Sequence, residues 1–228
     1  MILLSDPRIA DIRVADNGDG LVDLRTVPEL RLDDRLADDS GAFAMVRRHV
    51  LLRLLDAQSA LPEGLRLLIV EAYRPLDLQR SYFEAYQDEL RALHPRWSAD
   101  RLHAEASKYV SPPQVAPHST GGTVDLTLCT SDGVELDMGT AVNASPEASD
   151  NTCFTAARAI PARARRNRRV LVTALSAVGM INYPTEWWHW SYGDRYWAHV
   201  TGCGTTLYAP VQLVRGVSSD APSRAMLW

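Results

Sequence analysis

Two short segments of the sequence carry side chains that together could bind a metal ion. His118 and Asp125 lie seven residues apart with a double glycine between them, and Glu186 and His189 form a Glu-x-x-His pair. Imidazole nitrogens and carboxylate oxygens are common ligands of Zn²⁺. His118, Asp125 and His189 could therefore hold one zinc ion and leave a fourth position for water, as a catalytic rather than a structural zinc site requires.

Each of these segments also has a plain structural interpretation. The double glycine permits a tight turn that folds His118 back over the strand bearing Asp125. The same residues would equally fit a capping histidine in a loop and an aspartate on the surface. His189 stands among three tryptophans, so it could be a core histidine with Glu186 in solvent. Those tryptophans would also exclude water from a metal site and strengthen its electrostatics.

Glu186 and Arg74 are the candidate catalytic side chains. Glu186 precedes a predicted strand, where it could reach a metal-bound water beside His189 and act as the general base. Arg74 precedes a proline, which favours extended backbone, and it follows an apolar run that predicts a strand. Its guanidinium could stabilise a tetrahedral oxyanion. Alternatively, Arg74 pairs with an acidic neighbour such as Glu71 or Asp77.

The composition narrows the class of protein. The chain has 228 residues, 46% hydrophobic and 23% charged, which is typical of a globular protein, and we expect a single domain over 1–228. A formal net charge of −4 disfavours nucleic acid as a partner. Three scattered cysteines without a C-x-x-C pair predict free thiols, no thiolate zinc site and a cytoplasmic location. No apolar run is long enough to span a membrane, so we expect no membrane partner.

The hydrophobic periodicity predicts an α+β fold, because strands and helices do not alternate regularly. Apolar positions that include Tyr82 and Tyr86 predict an amphipathic helix. Six arginines between Arg158 and Arg169 lie on a further helix, with Pro161 near an early turn, and we expect them on a solvated face. The predicted helices are 42–58, about 78–93, 98–110 and about 153–178, and the predicted strands are 65–72, 123–129 and 187–192.

Several motifs in a fixed order resemble the D-alanyl-D-alanine dipeptidases of vancomycin-resistance systems, within the wider group of zinc DD-peptidases. The motifs are Tyr73-Arg74-Pro75, Ser107-Lys108-Tyr109-Val110, His118-x-x-Gly121-x-x-x-Asp125, Met138-Gly139-Thr140, Asn167-Arg168-Arg169 and Glu186-Trp-Trp-His189. The resemblance implies Zn²⁺ on the two histidines and the aspartate, Glu186 as base and Arg74 as transition-state stabiliser. It also implies a small antiparallel sheet that carries the zinc site and is flanked by helices.

The sequence departs from this family at three positions that the resemblance assigns to substrate binding. Ala116 stands where the family has serine, and Asn143 stands where it has an aspartate that binds the free amino group of the substrate. Thr26 takes the place of a tyrosine that helps to hold the same amine. Replacing a carboxylate by asparagine removes a charge-assisted contact. We therefore expect a substrate whose amine is acylated, absent or held differently.

The sequence leaves three functions open. The first is a zinc-dependent hydrolase of the D-alanyl-D-alanine dipeptidase type, which cleaves an amide bond in a small peptide by metal-activated water. The second is a tailoring amidase or peptidase of a biosynthetic pathway, and the third is a non-catalytic zinc-binding module. Glu186 argues against the third, because a structural metal site needs no base. The oligomeric state does not follow from the sequence.

Overall fold

The structure is a computed structural model that describes residues 2–213. The helices are α1 (Pro7–Ala10), α2 (Arg48–Ser59), α3 (Leu76–Leu93), α4 (Ala99–Ala106), α5 (Ala162–Ala177) and α6 (Arg195–Thr201). The strands are β1 (Leu21–Asp23), β2 (Arg31–Leu32), β3 (Met45–Arg47), β4 (Leu65–Glu71), β5 (Thr123–Thr130), β6 (Ile181–Asn182) and β7 (His189–Ser191). Within this part of the chain, no helix has both the length and the apolar character needed to cross a membrane. The prediction of one domain over 1–228 extends beyond the described residues.

A five-stranded sheet with the order β2-β4-β5-β7-β6 forms the centre of the fold. Each neighbouring pair among β4, β5, β7 and β6 is antiparallel, whereas the edge strand β2 runs parallel to β4. Strands β1 and β3 form a separate antiparallel pair. The predicted α+β class is confirmed, and the predicted antiparallel sheet gains one parallel strand at its edge.

The core lies where α2 and α5 pack beside β4 and β5. Helix α2 buries Val50, Leu54 and Ala57 along one stripe, at the spacing of an amphipathic helix. Strand β4 is buried from Leu67 to Glu71 on both faces, which explains its nearly continuous apolar sequence. This packing fixes the two central strands, of which β4 carries Glu71 and β5 carries Asp125.

Three predicted helices are shorter in the structure. The helix predicted over 98–110 is α4, which ends at Ala106. The predicted helix over 42–58 divides into a 3-10 turn, strand β3 and helix α2, because apolar residues at helical spacing also fit a turn followed by a strand. The predicted helix over 153–178 begins only after Pro161, whose extended backbone (ψ 145°) keeps the preceding residues out of the helix. Residues 131–161 therefore form a long irregular segment, of which the sequence predicted only the first part.

Arg168 is buried, so the prediction of a fully solvated arginine face on α5 is wrong at this position. Its guanidinium donates hydrogen bonds to the carbonyls of Met138 (2.7 Å), Thr152 (2.8 Å) and Phe154 (2.7 Å), and lies 5.5 Å from the Trp187 ring centre. Burial lowers the pKa of Arg168 to about 10. Arg168 thus ties the irregular segment to α5. The other five arginines are exposed, as predicted, but Arg158 lies before α5 and not on it.

We predict that Arg168→Leu lowers the free energy of unfolding by about 3 kcal/mol or more, because three carbonyls lose a charged donor in the interior. Arg169→Leu is the matched control, since Arg169 is exposed on the same helix. The control should change the free energy of unfolding by no more than about 0.5 kcal/mol. Urea denaturation measures both values. Equal stability losses in the two variants would contradict the assigned contacts.

Candidate metal centre

A row of polar side chains crosses three neighbouring strands. Glu71 on β4 lies opposite Asp125 on β5, and Asp125 lies opposite His189 on β7. Side chains directly opposite each other in an antiparallel pair lie on the same face, with Cβ atoms about 4.5–5.5 Å apart. All three residues are buried, with 3–4% of their surface exposed. The sheet register therefore gathers two carboxylates and an imidazole at one buried spot.

His118 reaches this row through the tight turn that the double glycine predicted. It begins a 3-10 turn that ends at Gly121, whose φ of +70° suits glycine, and an added Cβ there would lie 2.5 Å from a methyl carbon of Leu21. Nδ1 of His118 lies 2.7 Å from the carbonyl oxygen of Ala72. The tautomer that donates this hydrogen bond leaves Nε2 with a free lone pair that faces Asp125.

The three predicted ligands converge with the spacing of a metal site. Nε2 of His118 lies 3.4 Å from Oδ2 of Asp125, and Nδ1 of His189 lies 3.1 Å from Oδ1. One ligand atom from each residue lies within 4.8 Å of the others. Two ligands about 2.1 Å from one ion in tetrahedral geometry would be about 3.4 Å apart. Within residues 2–213, Oδ1 of Asp125 has no hydrogen-bond partner of good geometry. These donors fit a zinc ion, and a surface position for Asp125 is excluded.

The pKa of the buried carboxylate in the centre depends on the imidazoles beside it. Burial by itself would raise the pKa of Asp125, but His118 and His189 hold it well below its usual range. Burial would conversely lower the pKa of His189, but the neighbouring carboxylate of Asp125 raises it. Asp125 is therefore ionised in the interior and needs a positive partner there.

Glu186 stands at the rim of the centre, three residues before β7. Its Oε2 atom lies 3.5 Å from Nδ1 of His189, and a quarter of its side-chain surface is exposed. Desolvation by the surrounding protein raises the pKa of Glu186 more than His189 lowers it. The ring of Tyr183 lies 5.8 Å from that of His189, and burial raises the pKa of this phenol. Sequence reasoning placed Glu186 correctly before the strand, but it missed Tyr183.

The structure shows the pairing of Arg74 with an acidic neighbour, which is Glu71. Its guanidinium forms a two-pronged contact with the carboxylate of Glu71, including a 2.7 Å bond from Nε, and Nη1 donates to Oε1 of Gln79 at 2.8 Å. Arg74 also lines the cavity that contains the metal centre. The pairing with an acidic neighbour therefore holds the guanidinium at the site. Gln79 was missed because a glutamine on a helix carries no sequence signal of such a contact.

The centre opens into a cavity of about 510 Å³. Of the three predicted substrate-binding residues, only Asn143 lines it. Ala116 is buried, with 2% exposure, and faces a separate small cavity. Thr26 is exposed, and its hydroxyl donates to the carbonyl of Asp23 at 2.8 Å. The assignments of Ala116 and Thr26 to the substrate site are thus not supported. Ala116 is packed in the interior away from this cavity, and the hydroxyl of Thr26 is engaged in a local hydrogen bond.

We predict that Glu71→Gln destabilises the protein by about 3 kcal/mol, because it leaves the charge of Arg74 buried without its partner. Asp77→Asn is the control, since it removes the carboxylate of an exposed ion pair with Arg80. Exposed pairs contribute about 0–1 kcal/mol. Urea unfolding of both variants makes the comparison. A loss of stability in Glu71→Gln no larger than in the control would contradict the buried pair.

The comparisons with known proteins identify the family. Residues 23–203 match the family described as Peptidase_M15, D-ala-D-ala dipeptidase. The chain is 28% identical to a D-alanyl-D-alanine dipeptidase of Synechocystis sp., over 71% of this chain and 75% of the relative. It is 29% identical to a D-alanyl-D-alanine dipeptidase of Escherichia coli, over 74% and 82%. A solved structure described as VanYB in complex with D-alanine-D-alanine is 17% identical, with a TM-score of 0.43, over 86% of this chain and 94% of that one. Because the family match covers most of the sequence, the chain belongs to the D-ala-D-ala dipeptidase family of metallopeptidases.

Proposed function

We propose that this metallopeptidase is a zinc-dependent hydrolase that cleaves an amide bond in a small peptide or related amide. The observation that carries the proposal is the convergence of three buried donors, His118, Asp125 and His189, beside the carboxylate of Glu186. Two imidazoles and one carboxylate are a donor set of catalytic zinc enzymes. When bound, zinc would polarise the scissile carbonyl and lower the pKa of a water molecule.

Glu186 is the proposed general base. Its carboxylate lies at the rim of the centre and takes a proton from the attacking water, whose oxygen bonds to the carbonyl carbon. The carbon–nitrogen bond then breaks, and Glu186 passes the proton to the leaving nitrogen. The products are a carboxylate and an amine.

Arg74 is the proposed stabiliser of the oxyanion that forms when water adds to the carbonyl. Its guanidinium is held by Glu71 and Gln79, so it does not need to reorganise during the reaction. A positive charge fixed beforehand where negative charge develops is an efficient form of transition-state stabilisation. Glu71 and Gln79 act through Arg74 and are therefore positioning residues.

The substrate differs from a free dipeptide at its amino end in this proposal. Asn143 lines the cavity with a neutral side chain, where the family resemblance places a carboxylate that binds an ammonium group. A tailoring amidase or peptidase that acts on an acylated amine is favoured by the same observation. A non-catalytic zinc module is disfavoured, because Glu186 stands within 3.5 Å of the proposed ligand His189.

We predict that the purified protein binds one zinc ion and that Asp125→Asn weakens this binding by about a hundredfold or more. Mutation of a residue that only hydrogen-bonds to a metal ligand lowers the metal affinity by about 10–100-fold, and Asp125 is a proposed direct ligand. Competition with a chromophoric chelator gives the affinity. Asp132→Asn is the control, since Asp132 is an exposed carboxylate outside the cavity. Parent affinity in Asp125→Asn would refute the ligand set.

We predict that Glu186→Gln lowers kcat by about 10²–10⁴-fold while zinc stoichiometry and unfolding stay unchanged. The assay follows release of D-alanine from D-Ala-D-Ala and from N-acetyl-D-Ala-D-Ala by the zinc-loaded enzyme. Parent activity in the variant would refute the role of Glu186.

The same assay tests the proposal that the substrate differs from a free dipeptide at its amino end. We expect a higher kcat/KM for the N-acetyl dipeptide than for the free dipeptide, because the cavity presents Asn143 instead of a carboxylate at this wall. Efficient cleavage of the free dipeptide in preference to its acetylated form would contradict this part of the proposal. Absence of cleavage of every peptide tested would contradict the proposed hydrolase function.

A further inference from the structure

The cavity extends far beyond the metal centre along one face of α3. Gln79, Tyr82, Tyr86 and Glu89 all line it and recur at helical spacing, so they share that face. Gln79 contacts Arg74 at the inner end, and Glu89 stands ten residues later. At a rise of 1.5 Å per residue, this wall is about 15 Å long.

A small dipeptide fills only part of this space. Two extended residues span about 7 Å, roughly half of the wall. The cavity volume of about 510 Å³ falls within the range of about 300–1,000 Å³ that is typical of sites for larger organic ligands. The outer part of the cavity is therefore available to a further group on the substrate.

Three tyrosines, Tyr82, Tyr86 and Tyr109, line the cavity from beside Arg74 outward, and we call them the tyrosine wall. The rings of Tyr86 and Tyr109 meet edge to face, with centres 5.9 Å apart. The ring of Tyr82 lies 5.1 Å from the guanidinium of Arg74 and is 43% exposed. The hydroxyl of Tyr109 donates to the carboxylate of Glu147. The wall is thus anchored at the centre and at the rim, with ring surface left open to the cavity.

We propose that the tyrosine wall is a subsite for an aromatic ring that the substrate carries two or three residues from the scissile amide. Tyr86 follows Gln79 by seven residues, or about 10 Å along the helix, which is about three extended peptide residues. Aromatic rings pair favourably edge to face or offset, beyond the area they bury. This inference rests on the proposed hydrolase function, and it names a substrate class for it: peptides or amides with an aromatic group.

The test compares peptides that differ only by a ring. One pair is Phe-Ala-D-Ala-D-Ala and Ala-Ala-D-Ala-D-Ala, which places the ring on the acyl side of the scissile bond. The second pair is D-Ala-D-Ala-Ala-Phe and D-Ala-D-Ala-Ala-Ala, which places it on the amine side. We expect kcat/KM to be about tenfold higher for the ring-bearing peptide of one pair.

Substitutions in the wall connect this preference to the structure. Tyr86→Ala should remove the preference for the ring-bearing peptide, and Tyr86→Phe should retain it, because the ring and not the hydroxyl makes the contact. Tyr82→Ala is a second variant, useful if Tyr86→Ala does not fold, since 43% of the surface of Tyr82 is exposed. Leu93→Ala is the control, because Leu93 is an exposed apolar residue of α3 that does not line the cavity.

A binding measurement keeps this inference separate from the proposed function. Calorimetry on zinc-loaded Glu186→Gln gives the affinity of each peptide without turnover, and the same tenfold preference is expected there. Hydrolysis or binding of ring-bearing and ring-free peptides with equal efficiency in both pairs would overturn the subsite and leave the hydrolase intact. Absence of hydrolysis by the parent enzyme would refute the proposed function, and the binding ratio would still decide the subsite.

Discussion

The register of β5 between its two neighbours is the constraint on which the rest of the structure depends. Asp125 faces Glu71 on one side and His189 on the other. If either pairing slipped by one residue, the side chains of the shifted strand would point to the opposite face of the sheet. Arg74 and Glu186 stand three residues outside their strands, so both inherit their places from the same register. The apolar residues that alternate with Asp125 therefore set the register, and with it the geometry of the centre.

An ionised aspartate in the middle of a sheet is costly unless positive groups surround it. Two imidazoles stand beside this carboxylate, and one of them is fixed by the carbonyl of Ala72. Within the described residues, Nε2 of His189 and Oδ1 of Asp125 lack hydrogen-bond partners of good geometry. Local departures from complete polar satisfaction are typical of functional sites. These buried polar atoms lower the stability of the fold, but they form a donor set that suits a divalent cation.

Sequence reasoning succeeded where chemistry and period pointed to the same residues. The alternation around Asp125 predicted its strand, and the double glycine predicted the turn at His118, because both signals are local. It failed at Arg168, since a helix rich in arginine gives no sign that one of them meets carbonyls of an irregular segment. It also took Tyr82 and Tyr86 only as the apolar face of a helix, because a cavity wall and a core face have the same period.

The irregular segment supplies a wall of the cavity that does not consist of strand residues. Arg168 holds it at both ends through the carbonyls of Met138, Thr152 and Phe154. Trp187, the neighbour of Glu186, donates to the hydroxyl of Thr140 within the same segment. Asn143 therefore faces the cavity from a clamped loop instead of a strand, in the left-handed conformation (φ 64°) that asparagine tolerates. The start of the same segment also bonds to β5, where the backbone N–H of Leu136 donates to the carbonyl of Leu128 at 2.8 Å. A substitution at Asn143 would change the lining of this wall, while the three donors stay on β5, β7 and the turn at His118.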